Sequence, residues 1–458
     1  MVVVRLFAGR RVAVLGLAKS GRAAAAALAA GGAEVVAWDD HPAAREGLAP
    51  ETRIENLAEA DWNGIAALVL SPGIPHSFPE PHPAVLKAQA AGVEIVGDLE
   101  LLARVQPEAR YIGITGTNGK STTTALIGHI LHHAGRSAEV GGNLGTPALS
   151  LAPLGRDGAY VLECSSYQLE LLATLTFDIA VLLNITPDHL DRHGGMDGYI
   201  AAKRHIFDRQ AAAASAVIGI DDPICRSIAE EMSRAGPQRI VPISVREPVT
   251  SGVYVEAGHL IDALDGAPQR VLDLAEAERL PGSHNWQNAA AGYAVARRFG
   301  IAPDIAAAAI RSFPGLAHRQ ELVATIDEIR YINDSKATNA DATEKALTCY
   351  RTIYWIAGGL SKAGGIVPLE PYFERLRHAF LIGRATEEFA ETLDGKVPFT
   401  RCGDLATAVA AATEQARAEH AADAVVLLSP ACASFDQFAN FEARGDAFRQ
   451  LVTELQSK

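Results

Sequence analysis

Short apolar runs alternate with helix-period stretches along almost the whole chain, and no other feature narrows the choice of fold as much. A parallel strand buried on both faces reads as an unbroken apolar run, and reaching its parallel neighbour requires a crossover, usually a helix. The first block of the chain shows this in Arg11–Leu15, an Ala-rich stretch to about Ala30, Glu34–Trp38 and Ala66–Leu70. A second block carries apolar runs at Tyr111–Thr115, Ala159–Glu163 and Ile179–Ile185. A third has them at Ile329–Asn333, Arg351–Ala357, Ala379–Ile382 and Val425–Ser429. The pattern predicts parallel, doubly wound sheets in three successive α/β modules, and a length of 458 residues agrees with three domains. Pro242–Val271 reads as more β-rich and is expected to form a small separate sheet.

Two glycine loops follow predicted strands. The first, Gly16-Leu17-Ala18-Lys19-Ser20-Gly21, lacks the middle glycine of a dinucleotide fingerprint, because Ala18 stands there. A nicotinamide site is therefore possible at this loop but not favoured. Asp39 and Asp40, at the end of the next strand, either accept from a ribose or merely terminate that strand. The second loop, Thr115-Gly116-Thr117-Asn118-Gly119-Lys120-Ser121, lies between a strand and a Thr-rich helix. Glycines let backbone wrap closely around phosphate oxygens, and a helix N-terminus turns N–H groups and partial positive charge toward them. Lys120 would neutralise the outer phosphates and Ser121 would offer a hydroxyl to magnesium. Ile114 occupies the place of the first glycine in the common phosphate-loop pattern.

Other polar groups close further strands. Glu163 ends one, and Asp188 and His189 follow another, so the carboxyl-end rim of one sheet would gather them around a bound phosphate chain. Magnesium prefers oxygen ligands and keeps several waters, so one hydroxyl and one carboxylate suit it. Lys203, in a helical stretch, reads from physics alone as part of a solvated helix face. Asn333–Asn339 is a dense polar cluster that is either a site or a capped helix start, and Ser429–Asp436 is either a site or a turn.

The fold expected from these motifs is α/β with three domains. A Rossmann-like N-terminal domain would occupy 1–98, a central P-loop-type ATPase domain with a parallel sheet 99–314, and a Rossmann-like C-terminal domain 315–458. A net charge of -13 argues against a nucleic-acid groove or an anionic membrane surface. No apolar stretch approaches a membrane span, and the five dispersed cysteines read as buried thiols of a reducing compartment, so a cytoplasmic protein is expected.

Together these motifs resemble the Mur ligase family, which builds the peptide of bacterial cell-wall precursors. Thr115–Ser121 matches that family's ATP loop, shifted first glycine included. Asn333–Asn339 is similar to the signature of the branch that adds D-glutamate, and Ser429–Phe441 to that branch's C-terminal signature. The Asp-Asn-Pro-Arg mark of the diamino-acid branch does not occur. The resemblance implies ATP-dependent, ADP-forming ligation of D-glutamate to UDP-N-acetylmuramoyl-L-alanine through an acyl phosphate, with two magnesium ions; a monomer is expected, though the sequence itself does not fix the oligomeric state. It implies that Gly116, Thr117, Asn118, Gly119, Lys120 and Ser121 hold ATP with Asn285, Asn288, Arg319 and Asp334. Ser121 and Glu163 would serve the first metal, and His189 the second, alongside Lys203 as a carbamate. Ser20, Asp39, Asp40 and Ser71 would hold the UDP-sugar, with Asn143 and Gln168 reaching its sugar portion. Lys336, Thr338, Lys362, Ser434 and Phe441 would surround D-glutamate. His41 follows the acidic pair where some relatives carry Arg, and Gly358–Ala363 follows the family pattern loosely.

Overall fold

The computed structural model describes residues 1–143, 145–362 and 364–456. Ala363, in the glycine turn noted above, and residues 457–458, at the end of the expected third domain, lie outside them. The chain divides into two compact units, residues 1–276 with 285–312 and residues 277–284 with 313–458.

The first unit holds two sheets. Strands β1 (Arg11–Leu15), β2 (Glu34–Trp38), β3 (Arg53–Ile54), β4 (Ile65–Leu70) and β5 (Glu94–Val96) pair in the order β3-β2-β1-β4-β5, all parallel. The helix Lys19–Ala30 buries Ala23, Ala24, Ala27 and Leu28, and its small side chains let it lie close on the sheet.

The second sheet comprises β6 (Arg110–Thr115), β7 (Ala138–Gly142), β8 (Ala159–Glu163), β9 (Ile179–Leu182), β10 (Ser215–Gly219), β11 (Arg239–Ser244), β12 (Val253–Glu256), β13 (His259–Asp262) and β14 (Gln269–Asp273). Its order is β14-β13-β12-β11-β10-β9-β6-β8-β7. The expected separate sheet over Pro242–Val271 does not form. β12 pairs with β11 through Ile243↔Val253, and β12, β13 and β14 extend the parallel sheet as an antiparallel meander. Val241 and Ile243 are fully buried, and an uncovered β11 would leave an apolar edge with unpaired backbone groups.

One apolar cluster runs through both sheets, from Val12 and Val14 to Leu162 and Leu182. Polar contacts join them as well, most of all at the helix Asp98–Val105. There the Glu100 carboxylate accepts from the backbone N–H groups of Ala173, Thr174 and Leu175, the Thr174 hydroxyl and Arg104 Nε, at 2.6–3.1 Å. Burial opposes the charge, but the bonds from Thr174, Ala173 and Leu175 outweigh it and hold the carboxyl down to about 2.

The second unit has one sheet, β15 (Glu321–Ile326), β16 (Ile329–Asn333), β17 (Thr352–Gly358), β18 (Leu376–Ile382), β19 (Phe399–Gly403) and β20 (Ala424–Leu428), in the order β15-β16-β20-β17-β18-β19. All pairs are parallel except β15 with β16. Alternation along β17 sends Ile353 and Trp355 into one apolar layer and Tyr354 and Ile356 into the other.

The cysteines depart in part from expectation. Cys164, Cys225 and Cys432 are buried, but Cys349 and Cys402 are only half-buried because they lie near the surface of the second unit. No helix among the described residues is long and apolar enough to cross a membrane.

Candidate active site

Strand order places β6 between β8 and β9, so the loop leaving β6 opens at the carboxyl-end rim of the sheet with a neighbour on either side. The loop feeds the helix Lys120–His133 through Gly119, which adopts a left-handed conformation with φ 86°. A side chain there would also collide with Asn288, whose Oδ1 would stand 2.5 Å from the added carbon. Asn184, just past β9, shapes the loop. Its carbonyl accepts from Thr117 N at 2.9 Å and its Oδ1 from Asn118 N at 2.8 Å. Lys120 Nζ folds back to donate to the Gly116 and Thr117 carbonyls, both at 2.8 Å. Ser121 is buried in the first turn of the helix. Asn285 and Asn288 arrive on the helix Ser283–Phe299. Asn288 Nδ2 donates to Asn285 Oδ1 at 2.9 Å, and Thr123 Oγ1 donates to Asn288 Oδ1 at 3.1 Å.

Glu163 closes β8 directly beside Ile114. It is 3% exposed; Oε1 accepts from Asn143 Nδ2 at 2.7 Å, and Oε2 has no hydrogen-bond partner among the described residues. A buried carboxylate oxygen without a donor is costly in isolation, and a hard cation would satisfy it. A carboxylate and the Ser121 hydroxyl are oxygen donors of the kind magnesium takes, so the chemistry of the two residues fits that ion. Among the described residues no group of three or more His, Cys, Asp and Glu forms a ready-made cage.

Lys203 overturns the reading made from its helix alone. It is 2% exposed, and its Nζ donates to the Gly116 carbonyl at 2.9 Å. The helix Met196–Arg204 packs this face inward against the phosphate loop, a tertiary contact that local periodicity does not encode. Burial, followed by the nearby positive charge of Lys120, pulls the amine down to about 7. His189 lies at the rim with its Nε2 3.5 Å from Asp188 Oδ2 and its ring 5.4 Å from that of Tyr167.

Several residues at this rim carried no signal in the sequence. Tyr199, one helical turn before Lys203, brings its hydroxyl within 3.1 Å of Thr117 Oγ1 and its ring under Lys203 Nζ at 4.6 Å. His193 stacks on Tyr167 and pairs through Nδ1 with Glu170 Oε1 at 3.1 Å and through Nε2 with Ser166 Oγ at 2.9 Å. Burial drives the two partners apart, the imidazole down to about 4 and the carboxyl up to about 7, so the imidazole is neutral at pH 7.

Around the first loop, Asp39 is committed to backbone. Its Oδ2 accepts from Leu17 N at 2.6 Å and its Oδ1 from His41 N at 2.9 Å. Ser71 Oγ donates to the Gly16 carbonyl at 2.7 Å, while Asp40 is exposed. Gln168 is buried in a reciprocal capping box with Ser165, and its Nε2 donates to Asp98 Oδ1 at 3.3 Å; Ser20 bonds to the same carboxyl.

In the second unit, Asp334 accepts from Gln320 N at 3.1 Å and from Ser429 Oγ at 2.8 Å. Burial pushes its carboxyl up to about 7 although Ser429, Gln320 and Arg319 pull the other way. Lys336 Nζ lies 5.8 Å over the Phe441 ring, and Thr338 N donates to the Lys336 carbonyl at 2.9 Å. Ser434 is buried, and Lys362 stands exposed on the turn after β17.

Residues 114–296 match the Mur ligase middle domain. The chain is 54% identical over 455 residues to a UDP-N-acetylmuramoylalanine–D-glutamate ligase of Rhodospirillum rubrum, covering 98% of this chain and 95% of that protein. It is 55% identical over 453 residues to the protein of that name in Paramagnetospirillum magneticum, covering 99% and 98%. Among solved structures, UDP-N-acetylmuramate-alanine ligase MurC from Thermotoga maritima shares the fold with a TM-score of 0.57 at 16% identity, over 98% of this chain and 99% of that one. MurF from Acinetobacter baumannii does so with 0.57 at 16% identity, over 100% and 93%. The chain belongs to the UDP-N-acetylmuramoylalanine–D-glutamate ligase family, within the Mur ligases.

Proposed function

We propose that this chain uses ATP to join D-glutamate to UDP-N-acetylmuramoyl-L-alanine, releasing ADP and phosphate, in the synthesis of peptidoglycan precursors. The observation that supports this most is the phosphate loop set beside Glu163, one of whose carboxylate oxygens has no partner among the described residues, in a chain so similar to ligases of that name. A carboxylate is a poor electrophile. The alanyl carboxylate oxygen therefore attacks the γ-phosphorus, the bond to ADP breaks, and an acyl phosphate results. Lys120 leaves its two loop carbonyls to meet the transferring charge, and the loop N–H groups and helix terminus share it. The D-glutamate nitrogen then adds to the acyl carbon, loses a proton, and phosphate departs as the amide forms. Alignment of such reactants is worth roughly 7–11 kcal/mol.

Magnesium, when bound, neutralises phosphate charge; Ser121 and Glu163 would hold one ion, and His189 with a carbamate on Lys203 a second. A neutral Lys203 amine is the form that takes up carbon dioxide, and its depressed pKa favours that form. Asn285, Asn288, Arg319 and Asp334 are assigned to ATP, and Lys336, Thr338, Lys362, Ser434 and Phe441 to D-glutamate. Ser20, Asp39, Asp40, Ser71, Asn143 and Gln168 are assigned to the UDP-sugar, Asp39 and Gln168 largely by fixing the loops that meet it. The domain division at 98/99 and 314/315, a cytoplasmic location and a monomeric state belong to the same reading.

The test is phosphate release from ATP with UDP-N-acetylmuramoyl-L-alanine present and amino acids added singly. Release that requires D-glutamate supports the proposal; release with every amino acid, or with none added, refutes it.

A further inference from the structure

Arg444, on the helix Phe441–Gln456, is 1% exposed and lies among neutral partners. Its Nε donates to Ser335 Oγ at 3.0 Å, and its Nη2 donates to the carbonyls of Ser335 at 2.9 Å and Cys432 at 3.1 Å. Its Nη1 is buried with no hydrogen-bond partner among the described residues. The charge of Asp436 reaches it, and Asp436 Oδ2 already accepts from Arg384 N at 3.0 Å. Burial pulls the guanidinium down to about 10, against the opposing influence of Cys432 and Asp436.

The segments that Arg444 joins are those assigned above to D-glutamate. Ser335 precedes Lys336, and its hydroxyl donates to the Phe441 carbonyl at 2.8 Å. Cys432 leads to Ser434 through Ala433, whose backbone exchanges hydrogen bonds with Leu360 at 2.9 and 3.0 Å. Nη1 lies against Gly359, where an added carbon would stand 3.3 Å from it, at the start of the turn that carries Lys362. One fork-shaped cation thus bonds two chain segments and packs beside a third, a task for which the single point charge of lysine is poorly shaped. A buried cation is strongly disfavoured unless an anion compensates it, and the protein provides no anion in direct contact among the described residues.

We infer that Arg444 is a positioning residue for the amino-acid substrate, clamping the Ser335–Lys336 and Cys432–Ser434 segments beside Gly359 so that a bound dicarboxylate completes their charge balance. This rests on the assignment of Lys336 and Ser434 to D-glutamate.

The experiment is steady-state kinetics of Arg444→Met and Arg444→Lys beside Lys336→Ala and Ser434→Ala, with thermal shift by D-glutamate read in parallel. Arg444→Met is expected to raise KM for D-glutamate at least about tenfold, to leave KM for ATP and the UDP-sugar within about twofold, and to lose the D-glutamate thermal shift. Arg444→Lys keeps the charge without the fork and is expected to recover part of each, with KM for D-glutamate still raised about threefold. Should Arg444→Met not fold, that rise in Arg444→Lys decides the matter. An unchanged KM for D-glutamate in the Arg444 variants, with Lys336→Ala and Ser434→Ala raising it, overturns the inference alone. If Lys336→Ala and Ser434→Ala leave it unchanged too, the assignment of the site falls, and the inference with it.

Discussion

Lys203→Arg separates a chemical role for this side chain from a merely electrostatic one. With a pKa of about 7, about half of Lys203 is neutral at pH 7, against about 3 molecules in 10,000 for a lysine at 10.5. The gain in neutral amine is therefore roughly a thousandfold, and it comes first from burial and then from Lys120. A neutral amine forms an N–C bond with carbon dioxide and sheds a proton, leaving a carbamate; a guanidinium does not. Carbon-13 NMR with labelled bicarbonate reads that carbamate directly. Between pH 8 and pH 6 the neutral fraction falls about tenfold, and at constant dissolved carbon dioxide the signal should fall at least as much. Lys203→Arg should lack the signal and lose at least about a hundredfold in kcat, the scale of removing one organising group from a transition state. A variant turning over within about threefold of the wild type, or a wild-type signal equal at pH 6 and pH 8, refutes the reasoning.

Three further outcomes follow from other contacts. Lys120→Ala should lower D-glutamate-dependent phosphate release by about two orders of magnitude or more, measured with saturating substrates. Glu163→Gln keeps an acceptor for Asn143 but removes the unpartnered charged oxygen, so the magnesium concentration for half-maximal rate should rise at least about tenfold while the melting temperature stays put. Glu100→Gln should cost about 2–3 kcal/mol in urea unfolding, because it sets an amide where several donors now meet a carboxylate. Glu100 is depressed from 4.5 to about 2 in the folded chain, so its stabilisation is present above pH 4.5 and lost as pH falls toward 2; the variant should show a flatter acid limb.

How far the chain could be read in advance depended on whether the signal was local. The phosphate loop was legible because glycines, Lys120 and a continuous apolar strand all lie within one short segment. Glu163 was legible as the polar end of a buried run. Strands β3 and β5 escaped notice, being two and three residues long, with Arg53, Ile54 and Glu94 exposed. Lys203 was misread because its partner, Gly116, is 87 residues away and a helix pattern does not say which face meets a neighbour. Arg444 was silent for the same reason, since Ser335 lies 109 residues before it. The antiparallel continuation beyond β11 was hidden because β-rich composition identifies strands and not the edge they join.

The Glu100 clasp and the apolar cluster shared by the first two sheets have a consequence for substrate choice. Because those sheets form one compact unit, the first glycine loop and the phosphate loop are carried on one packed body, and the span between them is set by the fold. If the nucleotide-sugar is held at both loops, as proposed above, its length is what such a body would select, as a ruler does. A nucleotide-sugar shortened by one phosphate, though chemically complete at its reacting carboxylate, would fall short of one mark or the other.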